Sequence, residues 1–243
     1  MEATLYGMRI SHPARTAELM VEHKGIEAER VEIPPASQRL LMRRYGFMGG
    51  TVPGLKLDGR RVQGTREIAR ALEEARPDPP LYPADRAARD AVEVAELWGE
   101  QTYQPVPRRI FRWALSSDSE LRTVMAKSLG MPAPGLAQWA MVPTAQFYLR
   151  YEGGGEKAAR RDVAELPLHL DKIDGLIQDG TIGGDDLNAA DFQIATSTRV
   201  LLNFPQLRPL IADRPAGAHA MRIVPDFARE MPVKVPAEWV PSA

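Results

Sequence analysis

A chain of 243 residues is long enough for two small hydrophobic cores, and its charge is almost balanced, 31 Lys and Arg against 32 Asp and Glu. A net charge of −1 supplies no electrostatic basis for binding nucleic acid or a membrane surface. Zero cysteines exclude disulfides, thiolate metal ligands and any mechanism in which a thiol of the protein attacks or shuttles electrons.

The opening Met1-Glu2-Ala3-Thr4-Leu5-Tyr6 lacks the basic and apolar regions of a signal peptide, and no stretch approaches the ~18 apolar residues of a membrane span; a cytoplasmic protein is expected. Residues 4–8 read as a short strand. Residues 14–23 repeat apolar positions at helical spacing, and Lys24-Gly25 supplies a basic last turn followed by glycine. Residues 29–33 alternate as a second strand, ended by Pro34-Pro35. A basic segment then carries Arg39, Arg43 and Arg44 into Gly49-Gly50. Pro53 opens the next apolar run, and a residue that cannot donate to a ladder marks a strand edge or turn there. A cis Val52-Pro53 bond would turn the Val52 N–H and C=O outward, free to pair with an extended ligand backbone. Residues 54–57 and 60–63 form a hairpin about Asp58-Gly59, and 65–75 follow as a helix. The order βαβαββα needs its first two strands parallel and its last two antiparallel in one small sheet.

The proline-rich stretch from Arg76 to Pro83 reads as a linker, so the domains are expected at 1–76 and 86–230, joined by 77–85 and followed by an extended tail at 231–243. Beyond Asp85 strand patterns vanish. Helical periodicity covers 86–115, with a bend required near Pro105 and Pro107, then about 136–151, 156–178, 188–203 and shorter pieces to Arg229.

This pattern resembles the cytosolic glutathione transferase superfamily. The resemblance is carried by Leu5-Tyr6-Gly7, by Ser11 with the helix to Lys24-Gly25-Ile26, by Val52-Pro53, by Asp58-Gly59 leading to Thr65 and Ile68, and by Leu187-Asn188-Ala189-Ala190-Asp191-Phe192. The last is similar to that family's buried capping box, in which Asn188 would accept from a first-turn N–H while Asp191 reaches back to the cap. The fold implied is an α/β thioredoxin-like N-terminal domain followed by an all-α helical domain. The activity implied is attack of a glutathione thiolate on a hydrophobic electrophile, by conjugation or thiol-assisted isomerisation, in a homodimer that needs no metal.

Residue by residue, Ser11 matches the hydroxyl of the Ser-type transferases, which together with the positive end of a helix favours a thiolate over a thiol. Its alternative role is a plain helix cap. Tyr6 is a competing hydroxyl that otherwise belongs to the strand core, and His12 is read as a surface residue. Val52 and Pro53 would hold the cysteinyl backbone. Arg39, with Arg43 and Arg44 beside it, matches a cation for the glycyl carboxylate, the alternative being a solvated basic face. Thr65 suits a carboxylate through its hydroxyl and helix N-terminal N–H. Gly64 departs from the pattern: the family's Glu is absent, which leaves Glu67 or Gln63 as substitutes and another thiol or carboxylate ligand as an alternative to glutathione.

Aromatic residues concentrate in the first part of the helical region, and Trp98, Tyr103 and Phe111, with Trp113, Trp139, Phe147 and Tyr148, would line the electrophile pocket collectively. Arg108, Arg109 and Arg112 are either solvated or meet an acidic co-substrate. A second function class stays open: a non-catalytic protein of this fold that binds a hydrophobic small molecule or a protein partner.

Overall fold

The computed structural model describes residues 1–128, 131–151, 155–226 and 233–241. The expected order βαβαββα is the observed one: β1 (Ala3–Gly7), α1 (His12–His23), β2 (Ala28–Glu32), α2 (Gln38–Arg44) after a 3-10 turn at Pro35–Ser37, β3 (Gly54–Leu57), β4 (Arg60–Gln63) and α3 (Thr65–Ala75). Helices follow: α4 (Arg86–Trp98), α5 (Pro105–Ser117), α6 (Ser119–Ser128), α7 (Pro134–Ala140), α8 (Val142–Tyr151), α9 (Glu156–Ala164), α10 (Leu166–Gln178), α11 (Ala189–Leu201), α12 (Arg208–Ile211) and α13 (Pro215–Ile223).

The sheet runs β2-β1-β3-β4, with β1 parallel to β2, and with β1/β3 and β3/β4 antiparallel. All five residues of β1 are buried, as befits an inner strand, whereas the edge strands β2 and β4 expose Glu29, Arg30, Arg60 and Arg61. Charges on an open edge discourage pairing with a second sheet. Asp58 and Gly59 both take positive φ, 45° and 87°, the twist that a two-residue hairpin needs. Ala17 and Met20 of α1 and Ile68 and Leu72 of α3 are buried and complete the core.

Chain contacts separate two compact units, residues 1–104 with 176–197 and residues 105–175 with 198–243. In the first, Lys24 is buried and its ammonium donates to Glu73 and to the carbonyls of Pro77 and Pro79, at 3.3 and 2.7 Å. The segment Pro77–Pro79 is thus clamped to α3 and to the end of α1. The cap of α11 forms as expected. Asn188 Oδ1 accepts from Ala190 N–H at 3.0 Å, and the fully buried Asp191 accepts from Asn188 N–H at 2.9 Å and Gly183 N–H at 2.7 Å.

In place of a simple bend at Pro105, the chain widens into a π-helical turn over Gly99–Tyr103, closed by Gln104 N–H donating to Gly99 C=O at 2.7 Å. The reason is local: Pro105 cannot donate, and an i→i−5 bond absorbs the interruption. Proline inside the first turn of α5, at Pro107, removes a donor that would be unpaired anyway.

In the second unit, α6 lies where no helix was expected. Asp118 starts it, its carboxylate accepting from Glu120 and Leu121 N–H at 2.8 and 3.2 Å. The single periodic stretch at 156–178 is two helices, parted at Glu165 just ahead of Pro167. Residues 227–232 and 242–243, on which the last helical piece and part of the tail were expected, lie outside the described residues.

Candidate functional site

Strand register brings three turns to one end of the sheet. Tyr6 of β1 pairs with Gly54 of β3, and Gly54 pairs with Gln63 of β4. The loop after β1, the loop before β3 and the turn after β4 therefore leave the sheet together. They carry Ser11, Val52-Pro53 and Gly64-Thr65 respectively.

The Val52-Pro53 bond is cis. Pro53 C=O accepts from Gly64 N–H at 3.1 Å, which joins two of the turns. Among the described residues, neither the N–H nor the C=O of Val52 has a hydrogen-bond partner. Its side chain packs against the apolar cluster of Tyr6, Ile33, Met42 and Phe47, so the backbone is held while its polar groups stay available.

Ser11 occupies the N-cap of α1, and its hydroxyl oxygen accepts from Ala14 N–H at 3.3 Å. Capping uses a lone pair only. Among the described residues the hydroxyl proton has no acceptor, so the same group can cap its helix and donate outward. Tyr6 sits in the apolar cluster, its ring centroid 4.8 Å from Tyr45 and 5.1 Å from Phe47. His12, expected at the surface, is buried instead, its Nε2 donating to Gln104 C=O at 3.2 Å. The residue after the N-cap enters the helix facing inward here, and a carbonyl acceptor at Nε2 requires that nitrogen to carry a proton.

At the start of α3, Gly64 has φ 98°, a backbone conformation that glycine adopts without strain. A Cβ there would lie 2.6 Å from a carboxylate oxygen of Glu67, so the Glu67 side chain fills the space that a side chain at 64 would take. Buried Thr65 donates its hydroxyl to Glu100 at 3.2 Å. Burial, then the negative charge of Glu67, push the Glu100 carboxyl above the usual range against that hydrogen bond. A helix N-terminus and two neighbouring acids thus share one corner, an arrangement that can meet a carboxylate and an ammonium side by side. Sequence reasoning missed Glu100, which lies 35 residues from Thr65.

Gln63 does not take the place of the missing acid. Its amide spans the glycine loop, Oε1 accepting from Gly49 N–H at 2.8 Å and Nε2 donating to Thr51 C=O at 2.5 Å. From the other side Gln38 donates to Gly50 C=O at 3.0 Å. Arg39 lies directly on Gly50, whose Cβ would come within 2.7 Å of the Arg39 side chain, while Arg43 and Arg44 are exposed on α2. Arg39 therefore adjoins the loop that leads into Val52.

Trp98 and Tyr103 come together in the first unit, stacked at 5.3 Å and 9°, with Tyr103 fully buried. Phe111 belongs to the second unit. There Trp113 packs 4.5 Å from Trp239, Trp139 is exposed, and the side chains of Phe147 and Tyr148 lie outside the described residues. Among the described residues there is no cluster of His, Cys, Asp or Glu that could hold a metal ion, and no helix is long and apolar enough to cross a membrane.

Residues 5–80 match the glutathione S-transferase N-terminal domain family. Among solved structures, a glutathione S-transferase from Rhodospirillum rubrum is 21% identical with a TM-score of 0.58, covering 98% of this chain and 97% of the other. Glutathione transferase F2 of Populus trichocarpa is 15% identical with a TM-score of 0.63, covering 94% of each chain. The beta-etherase LigF of a Sphingobium strain is 17% identical with a TM-score of 0.63, covering 91% of this chain and 99% of the other. No curated protein matches. The fold shared with these structures is a thioredoxin-like N-terminal domain followed by a mostly helical region.

Proposed function

We propose that this chain is a glutathione transferase-like enzyme in which the tripeptide thiol lies along Val52 and its sulfur meets the Ser11 hydroxyl. The observation that supports this most directly is a main-chain donor and acceptor at Val52 left unpaired on a well-packed residue, at the same sheet end as Ser11 and Thr65. Val52 would pair with the cysteinyl backbone, Thr65 N–H with the γ-glutamyl carboxylate, and Arg39 with the glycyl carboxylate. Glu67, with Glu100 behind it, would face the ammonium in place of the acid missing at Gly64.

The chemistry asked of Ser11 is modest. One donated hydrogen bond together with the N-terminal end of α1 stabilises a thiolate, and each unit by which the thiol pKa falls is worth about 1.36 kcal/mol. The thiolate then attacks a hydrophobic electrophile. A homodimer in the cytoplasm completes the reading, with Leu40 and Met48, 72% and 95% exposed, offering apolar surface for self-association.

Titration calorimetry with glutathione and turnover of a chloronitroaromatic test the proposal together. Ser11→Ala should lower turnover about tenfold or more while thiol affinity changes little, because the hydroxyl acts on the sulfur and not on the peptide backbone. Absence of both thiol binding and conjugation would overturn it. The Gly64 departure favours a second reading, a non-catalytic binder of a hydrophobic molecule or protein. In that case a ligand co-purifies and Ser11→Ala leaves its affinity unchanged.

A further inference from the structure

The π-helical turn at Gly99–Tyr103 carries Glu100 to a braced place within the first unit. At Gly99 a Cβ would lie 3.0 Å from the Gln193 side chain and 3.2 Å from that of Ile194, so the absence of a side chain lets the turn press closely on α11. Trp98 and Tyr103 stack at its two ends, and Gln104 C=O meets His12 at the start of α1. Glu100 therefore hangs from a supported backbone, and its carboxylate reaches the first turn of α3.

The first turn of a helix offers N–H groups that have no partner inside the helix, and an incoming carboxylate is held there. In this chain part of that seat is already taken. Glu100 accepts from the Thr65 hydroxyl at 3.2 Å, and Thr65 is buried, so the hydroxyl faces this carboxylate and not solvent. Burial raises the Glu100 carboxyl and the charge of Glu67 adds to it, while the Thr65 hydroxyl, the Arg66 charge and the Arg66 main chain act against them. The Arg66 guanidinium is itself committed to buried Glu96 at 3.2 Å, which Arg70 also meets at 3.2 Å. Glu67 stands exposed alongside, its carboxylate next to Gly64. The corner thus combines two acids with a cation that is engaged elsewhere. Such a corner attracts an ammonium and repels a second carboxylate.

We infer that Glu100 is a specificity-determining residue of the thiol site, an internal carboxylate that selects a thiol peptide with a free ammonium and an uncharged group where glutathione has its γ-glutamyl carboxylate. A carboxamide is such a group: its N–H donates to Glu100 while its carbonyl accepts from the head of α3. Glutathione binds there only by crowding or displacing Glu100. This selection rests on the reading that a thiol peptide lies along Val52, and it names the head group that such a peptide carries.

Titration calorimetry on the full chain compares glutathione with its α-carboxamide, the tripeptide in which the glutamyl α-carboxylate alone is amidated. The wild type should bind the carboxamide about tenfold or more tighter than glutathione. Glu100→Gln keeps the size of the side chain and an acceptor for Thr65 but removes the charge. It should tighten glutathione about tenfold and shift the carboxamide by less than about threefold. A structural role alone would weaken both ligands in equal measure, and that outcome overturns the selection, as does glutathione affinity that the variant leaves unchanged or weakens. If circular dichroism shows Glu100→Gln unfolded, the ranking on the unaltered protein decides: a tighter carboxamide supports the selection, and an equal or weaker one overturns it. Binding of both ligands without the Glu100 effect leaves the thiol site standing and removes only its selectivity. No heat from either ligand with either protein overturns both.

Discussion

Gln63 shows how a single side chain can shape a binding edge without touching ligand. By bridging Gly49 N–H and Thr51 C=O it holds the segment that leads into Val52, while Arg39 packs beneath Gly50. Gln63→Ala should cost about 1–2 kcal/mol in denaturant unfolding, the range for two partly exposed hydrogen bonds, and should weaken glutathione severalfold or more. An unchanged dissociation constant by calorimetry would place the glycine loop outside the site. At Ser11 the two roles weighed from sequence are compatible, since capping Ala14 N–H uses the oxygen and leaves the proton to donate.

Among the elements, α11 depends on its first turn. Asp191 is fully buried and accepts from two backbone N–H groups, one at the cap and one at Gly183 in the preceding loop. Asp191→Ala removes the carboxylate that both donors share, one of them at the buried Asn188, and should lower stability by about 2–4 kcal/mol in thermal or denaturant melts. Asp191→Asn, which retains one carbonyl acceptor, should lose less. A loss below about 0.5 kcal/mol for Asp191→Ala would mean that the cap is dispensable. The motif was legible because the pairings of Asn188 with Ala190 and Asp191 lie within three residues of one another, whereas the Gly183 bond, eight residues away, was not foreseen. By contrast α6 was not expected, although its signals are also local: an Asp118 cap followed by Leu121, Val124 and Met125 at helical spacing, a repeat only one turn long.

For the whole molecule, pH sensitivity follows from which charged forms burial disfavours. Burial holds the His23 imidazole below its ordinary value, aided by the charge of Lys24 and opposed by the Pro80 carbonyl, Glu73 and Asp191. Among the described residues its buried Nε2 has no hydrogen-bond partner. His169 moves in the same direction by burial. Between the lowered folded value and about 6.5 the unfolded chain binds more protons, so stability rises with pH in that window and is lost on acidification. Glu96 and Glu100 act with the opposite sign. Burial raises both, so their contribution is full below about 4.5 and is lost as pH rises through the folded values. The difference between wild type and His23→Phe isolates the histidine. Melting midpoints should fall for the wild type between about pH 7.5 and 5.5, and fall less for the variant. Parallel curves would remove His23 from the account.

What the chain determined by itself was local: the places of its four short strands, the Asp58-Gly59 turn, the Pro53 strand edge and the Asn188-Asp191 cap each need only neighbouring residues, and all four occur in the structure. From these the mixed sheet and the helical remainder follow. Tertiary structure alone decided which side chains remain available. His12 was buried by Gln104, Gln63 was engaged by the glycine loop, Thr65 was joined to Glu100, and Arg109 was matched to Asp162. Each of these outcomes is a pairing between residues 12 to 92 positions apart, and periodicity and turn chemistry carry no signal over such distances because they report only what a residue's immediate neighbours impose on its backbone.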